Sequence, residues 1–541
     1  MPTARPCGQT ELYSVAGERA AAGARPGNPS FAGCARLQEW LINSTLKRLI
    51  PTYMNLSQRW QETRRAFHPT FWVANVLELF ERFAFYGSKA VLTVFLANKV
   101  GLANEAGTLA GLFSGVIYSL PIVAGVFVDK YGFKKTLIAC FFIFCVGYFL
   151  IGLGGMAWGA ELVQRIGTKP YMIAVLLLTA VGGSLIKPCI VGTVARTSTE
   201  DSRALGFSIY YTLVNLGGAI GPMIALTVRE NIGIEFVLIM SSITSGLLLL
   251  GTVLFFNEPQ AAAGEPERRT FTKVFTDMIL VFGNLKFILF LVIFSGFWIM
   301  FWQIFYLLPF YTTDVLKYSR FEVIETVDAW GVILFTIPMT ALVKKWKPFT
   351  AMIIGFVIAS VAWIFVGAST TILLTVIGIG IYALGEATQA PRFYEYVSSL
   401  APKDQIGTFM GFAFLPVAIG SFSAGKVADV LRLGYMTTDP SMMWYVVSGI
   451  GFGSVVLMIL YDQLNPWIDR AEQQWGSFLP LLLFVLYGLA AYRYDYWVLL
   501  GLVVTSVAIS RTYPAAARNR SFMAFSILSI FLHALIFFVI L

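Results

Sequence analysis

The chain has 541 residues, 57% of them hydrophobic and only 13% charged, with 46 Phe, 48 Gly and a formal net charge of +9. An average soluble domain carries about 25% charged residues. This composition therefore excludes an ordinary water-soluble fold and points to a polytopic membrane protein, in which small residues let helices approach closely. A nucleic-acid-binding role is excluded as well, because no basic, aromatic-interleaved soluble region is present.

Residues 1–65 differ from the rest of the chain. They are rich in Ala, Gly, Pro and Arg, then carry a short helical pattern in ARLQEWLINSTLKRLI. They have no signal-peptide apolar core and read as a disordered N-terminal extension, or as sequence ahead of an internal start at Met54. From 71 onward, apolar runs of about 20 residues recur, the length that crosses about 30 Å of hydrocarbon. Spans are expected near 71–99, 106–128, 134–156, 170–194, 203–228 and 234–256. The polar linker NEPQAAAGEPERRTFTK comes next, then spans near 286–312, 322–343, 348–368, 371–398, 405–430 and 441–462. The domains expected are thus an extension (1–65), a six-helix bundle (66–256), a cytoplasmic linker (257–285), a second six-helix bundle (286–463) and a further C-terminal region (464–541). That last region carries about three extra transmembrane helices near 478–492, 495–511 and 521–541. Their sequence suggests a lipid-facing appendage or a dimer contact.

Loops after even-numbered spans hold Lys130, Lys134, Lys135, Arg196, Arg203, Arg268, Arg269, Lys273, Lys344, Lys345, Lys347 and Lys403. Loops on the other side mix signs. The positive-inside rule then places the N-terminus in the cytoplasm. The five Cys have no CxxC spacing, and His68 and His533 stand apart from any ligand cluster, so no metal site is expected. With so few His, proton chemistry must run on carboxylates.

The first span raises the main question. VLELFERFAFYGSKA, residues 76–90, carries Glu78, Glu81, Arg82 and Lys89 in the middle of an apolar run. Each charge near mid-bilayer costs about 2.5–3.5 kcal/mol on insertion scales. At about 100° per residue, Asn75, Glu78, Arg82, Tyr86 and Lys89 share one face about 80° wide, with Glu81 about 60° outside it. Such a face must line the bundle interior or a water-filled cavity. A structural salt bridge is the plain alternative to a substrate or proton pathway. Other intramembrane polar residues sit on both halves: Lys187 in span four, Asn215 in span five, Gln303 in span seven, Asp328 in span eight and Glu386 in span ten.

Several of these stretches resemble one family. Six spans, a linker and six more resemble the major facilitator superfamily, with a site between the halves near the midplane. ELFERFAFYGSKA resembles the ExxERFxYYGxRA signature of its proton-coupled oligopeptide transporters. GVFVDKYGFKK resembles the general facilitator motif, LIKPCIVG the GxxKPN stretch and FSIYYTLVNLGG the FSxFYxxINxG stretch. LGEATQAP and SLAPKDQIGTFMGF resemble the GExxxSP and xLAPxxxxGxxMG stretches. The likeness covers roughly 70–462.

The resemblance implies a major facilitator fold and a symporter of small peptides, with protons as the coupling ion and no cofactor. It assigns Glu78, Glu81 and Arg82 to proton coupling, with Lys187 pairing with Glu386 across the halves. It assigns Lys89 to the peptide carboxylate, Tyr86 and Tyr118 to the pocket, and Asn215 with Glu386 to the peptide amino group. Gln303 and Asp328 fall in the same site, and Asp129 with Lys130, Lys134 and Lys135 would form a cytoplasmic gate. The implied setting is a bacterial inner membrane.

There are also departures. Phe301 and Trp302 precede Gln303 where the family carries Glu, so the acidic partner of Lys89 is missing. Asp328 stands in place of Asn and is expected to pair with Lys89 in the empty site. Phe85 replaces the first Tyr of a pair, Ala390-Pro391 replaces Ser-Pro, and the linker lacks a two-helix insert. Two other readings stay open: a facilitator or exporter of another small organic solute or drug, and a non-transporting membrane sensor or enzyme scaffold. With no GxxxxGK[ST] loop and no nucleophile–base constellation, neither an ATP-driven pump nor an enzyme is expected.

Overall fold

The computed structural model describes residues 64–259, 281, 284–401 and 406–475. The expectations for residues 1–63, for the linker from 260 on, for Lys403 and for the three runs after 475 lie outside the described residues. The described residues from Phe67 on form one compact unit.

Among the described residues the unit is all-helical apart from an isolated bridge between Phe67 and Ser198. Pro69 opens the first helix, α1 (Pro69–Val94), where its missing N–H would be unsatisfied anyway. His68 caps it, its Nδ1 accepting from the Thr70 N–H at 3.2 Å. The His68 N–H donates to Thr197 O, so the start of α1 is pinned to the end of the fourth helix.

The remaining helices of the first set are α2 (Ala106–Ser119, continuing as Pro121–Tyr131), α3 (Phe133–Leu153), α4 (Thr168–Thr197), α5 (Arg203–Asn231) and α6 (Ile234–Phe255). The second set is α7 (Leu285–Tyr306), α8 (Phe321–Val343), α9 (Pro348–Gly367), α10 (Ile372–Leu400), α11 (Leu415–Tyr435) and α12 (Pro440–Trp475). The twelve fall where the apolar runs were read, with three refinements. Pro121 bends α2 by 48°, and α4 breaks at Leu185, where Pro188 clashes with the carbonyl four residues back. Helix α12 runs beyond the expected 462 to Trp475.

Ten helices among the described residues are long and apolar enough to span a membrane, eleven with α2 taken as one span. Helix α1 is long enough too, but it carries the four charges. Large apolar side chains such as Phe255, Leu334, Ile337 and Leu373 are exposed on the outer face, as a lipid-facing surface requires.

Within the first set α1 packs on α5 and α6, and α3 on α4 and α6; within the second α9 packs on α10 and α12, and α7 on α11 and α12. Two long seams join the sets, α2 against α11 and α5 against α8. The first seam needs glycine: a Cβ on Gly425 would lie 2.3 Å from the Gly107 carbonyl oxygen. Close backbone approach through small residues is how helices associate where burial from water gives no driving force. Among the described residues no comparable packing joins α4 to α10 or α11.

Candidate functional site

Helix α1 places its charged face against α4 and α5. Glu78, Glu81 and Arg82 are 0%, 1% and 3% exposed. The Arg82 Nε lies 2.5 Å from Glu81 Oε2 and 3.4 Å from Glu78 Oε1. Lys187 of α4 adds a second cation, its Nζ 3.5 Å from Glu78 Oε1 and donating to the Tyr210 hydroxyl at 2.8 Å. Two anions and two cations thus balance in a space sealed from lipid. The seal depends on Gly217, because a Cβ there would lie 2.3 Å from the Arg82 Cβ. The Arg82 guanidinium also lies over the Phe85 ring at 4.8 Å, so the Phe that departs from the family pattern packs on the cluster.

The expected pairing of Lys187 with Glu386 is not made. Lys187 is held by Glu78 and Tyr210 on its own half, and no ion pair to Glu386 is formed in this conformation. The separation of α4 from α10 is the reason. Glu81, which the helical projection placed outside the stripe, is fully buried and holds the shorter of the two contacts to Arg82.

About two turns further along α1, Lys89 faces the second set. Its ammonium is 3.7 Å from the Trp302 ring centroid and 3.8 Å from that of Phe305, with Phe301 and Tyr86 each at 5.4 Å. A cation over aromatic faces gains about 2 kcal/mol or more when desolvated. The expected Lys89–Asp328 ion pair is not formed: the ammonium lies over the α7 aromatics Trp302 and Phe305 instead. Tyr118 packs against the same Trp302 at 5.8 Å.

Beyond this cage the wall is acidic. Asp328 is buried with Oδ1 lacking a hydrogen-bond partner, and half-buried Glu386 has Oε2 in the same state. Lys89 is within electrostatic reach of both, and of Glu325. Asn215 is half-buried on α5 and spends its amide on the Tyr211 carbonyl at 2.9 Å. Gln303 is not on the cavity wall. It is fully buried, its Nε2 donating to Ile299 O and Ala424 O at 3.2 Å each, and serves as a strap from α7 to α11.

The expected gate residues lie at the far end of α2 and the start of α3. The Phe133 and Lys134 N–H groups donate to Glu258, and Lys134 Nζ donates to Val253 O at 2.9 Å. Lys130 stacks its ammonium over Tyr131, Asp129 is half-buried and Lys135 is exposed. These contacts stay within the first set.

Contacts between the sets gather instead at the opposite end, where α1 finishes, in residues that the sequence reading missed. Arg229 of α5 meets Glu322 of α8 at 2.5 Å, and Arg320 meets Glu230 at 2.9 Å. Asp429 of α11 accepts from the Gly107 and Thr108 N–H groups at 2.8 and 2.7 Å and from the Thr108 hydroxyl at 2.7 Å, while Arg432 donates to Ala103 O. Asp429 thereby satisfies donors at the N-terminus of α2, where a carboxylate is favoured. The available signal was the spacing of Glu322, Glu325 and Asp328, three residues apart on one helix face.

Comparison with known proteins extends this picture. A family model described as Major Facilitator Superfamily matches residues 76–425. A "Dipeptide and tripeptide permease B" of Photorhabdus asymbiotica is 29% identical over 204 residues, 37% of this chain and 39% of that protein. The chain spans about two-fifths or less of the length of the first such relatives it matches. A "Dipeptide and tripeptide permease A" of Erwinia pyrifoliae is 22% identical over 75% of this chain and 95% of its own. Among solved structures, a POT family transporter in complex with 5-aminolevulinic acid superposes with a TM-score of 0.60 at 17% identity. That match covers 74% of this chain and 97% of the other. The structural likeness agrees with the fold expected from the motifs.

Proposed function

Because the chain belongs to the major facilitator superfamily, we propose that it is a proton-coupled symporter of small peptides or peptide-like solutes, working by alternating access. The observation that carries this reading is the pairing of two unlike electrostatic walls across the space between the halves. One is the balanced Glu78–Glu81–Arg82–Lys187 cluster, and the other holds Glu386 and Asp328 with free carboxylate oxygens. A zwitterionic peptide presents one group for each sign: an ammonium for Glu386, Asp328 and Asn215, and a carboxylate for Lys187 or Lys89. Tyr86 and Tyr118 line the space between. The names of the dipeptide and tripeptide permease relatives support the same substrate class.

With the N-terminus in the cytoplasm of a bacterial inner membrane, as the basic loops suggest, the joined end at Arg229–Glu322 and Asp429–Gly107 faces outward. The cavity then opens inward. A protonated Glu386 loses its attraction for a cation, so its titration biases the halves between two packings. A ligand or proton shifts such an equilibrium only by its differential affinity for the two states.

The deciding experiment is uptake of a small peptide library into proteoliposomes with and without an inward proton gradient. Accumulation that needs the gradient is expected. Counterflow of a different organic solute, with no peptide uptake, would replace this reading by that of a facilitator for that solute.

A further inference from the structure

Helix α8 carries three acids on one face, Glu322, Glu325 and Asp328, spaced about 4.5 Å apart along the axis at 1.5 Å per residue. The two outer ones have evident attachments. Glu322 is clamped by Arg229 at the joined end of the bundle, and Asp328 lies on the wall of the proposed site. Glu325 lies between them. It is 2% exposed, and neither carboxyl oxygen has a hydrogen-bond partner.

The charged and titratable groups around it are few. Those that act on it are Glu322 from α8 itself, Lys89 from α1 and Arg229 from α5, while α10, which also packs on α8, carries Glu386. The short turn Leu308–Phe310 that also packs on α8 contributes none. Lys89 is within electrostatic reach of Glu325, as it is of Asp328 and Glu386. Yet the ammonium lies over Trp302 and Phe305, not against any carboxylate. An ionised carboxylate left unpartnered in such a site is among the most expensive states a side chain can adopt. A Lys on a four-carbon stem can move between ring face and carboxylate without any backbone change.

We propose that Glu325 is a proton-carrying residue of the transport cycle, holding a proton while Lys89 lies in its aromatic cage and releasing it when Lys89 swings across to pair with it. The O–H proton passes to water entering from the open end, and the carboxylate so formed takes the Lys89 ammonium as its counter-ion. Because Glu325 is one turn from Glu322, the exchange is felt at the Arg229 clamp that joins the halves. Protonation, the substrate wall and the closed end are thereby linked through a single helix. This inference rests on the symporter reading for its role in transport, but the protonation event itself does not.

The test uses the purified full chain and its Glu325→Gln variant, which keeps the side-chain shape. Infrared difference spectra recorded between acidic and alkaline buffer report protonated carboxyl groups without any substrate. The wild type is expected to show a carboxylic-acid C=O band that the variant lacks, and Trp302→Leu, which weakens the cage, should shift that band's titration. In proteoliposomes, one coupled proton supports roughly tenfold accumulation per pH unit. The ratio of gradient-driven accumulation to counterflow should fall by that factor in Glu325→Gln. An unchanged band, or an unchanged ratio, overturns the proposal. If the wild type accumulates no peptide, the symporter reading fails, and the infrared band alone decides for Glu325.

Discussion

Glu81 and Glu325 are both buried carboxylates, one in each helix set, yet their surroundings are opposite. Glu81 is 2.5 Å from Arg82, inside a cluster in which Glu78 and Lys187 complete the charge balance. Glu325 has no hydrogen-bond partner, and Lys89, within its electrostatic reach, is turned into a cage of rings. In the first wall every charge has an opposite charge within 3.5 Å, although both Glu78 oxygens and Glu81 Oε1 accept no hydrogen bond, so adding or removing a proton must first break an ion pair. The second holds surplus acids whose counter-ion is parked elsewhere. Titration there changes the net charge facing the cavity, with no pair to be broken beforehand. A coupled transporter needs both: a fixed field to orient cargo, and groups whose charge follows the proton.

The sharpest way to break this contrast is to remove Arg82. Arg82→Met leaves Glu78 and Glu81 sharing Lys187 alone, and truncating one partner of a buried ion pair costs about 3–5 kcal/mol. Little folded protein and no transport are expected, read by thermal melting in detergent and by uptake. A melt equal to that of the wild type would show that the cluster is not the fixed wall described above. Glu386→Gln is the matching change on the other side. It removes no pair, so the melt should move by only a few degrees, while gradient-driven peptide uptake is lost. If Glu386→Gln melts as badly as Arg82→Met, the two walls are alike after all.

A smaller effect is expected at the closed end. Arg229–Glu322 is largely buried, whereas Arg320–Glu230 is more than half exposed on the arginine side. In double-mutant cycles, contacting pairs couple by about 0.5–3 kcal/mol and exposed pairs by about 0.2–1 kcal/mol. Neutralising both members of the Arg229–Glu322 pair should therefore open that end measurably, as faster labelling of a cysteine placed at Thr93. The Arg320–Glu230 pair should change labelling little. Equal labelling in the two double variants would mean that the clamp does not link α8 to the closed end.

The sequence and the structure agree most where the rule is coarse and physical. Twelve apolar runs became twelve helices because only a helix satisfies its backbone inside hydrocarbon, and the charged face of α1 turned inward for the same reason. Partner choice was much less legible. Lys187 binds Glu78 and not Glu386 because the halves are apart at that level, a fact of conformation that no spacing encodes. Lys89 meets Trp302 because α7 packs its aromatics there. Phe301 and Trp302 stood out in the sequence as a missing acid, but not as a cage. Glu322 and Glu325 were readable as an i, i+3 stripe leading to Asp328. They carry no motif of their own, whereas Asp328 falls at a position the resemblance marks.

Gln303 gives the smallest predicted effect and the most direct check of a reading that changed. Its motif position on α7 placed it in the pocket, while the structure spends its amide on the α7 and α11 backbones and leaves Oε1 without a partner. If the side chain is a strap, Gln303→Met should remove two long hydrogen bonds and one unsatisfied oxygen together while nearly conserving volume. Hydrogen bonds of this kind contribute about 0.5–1.5 kcal/mol each, and burying the oxygen unpaired costs about 1–3 kcal/mol, so the terms largely offset. The melt should shift by a few degrees at most in either direction, and the KM for peptide should stay within about twofold of the wild type, less than one hydrogen bond's worth. A KM raised tenfold with an unchanged melt would return Gln303 to the cavity wall. It would then place α7, alongside α8, among the helices that touch the cargo.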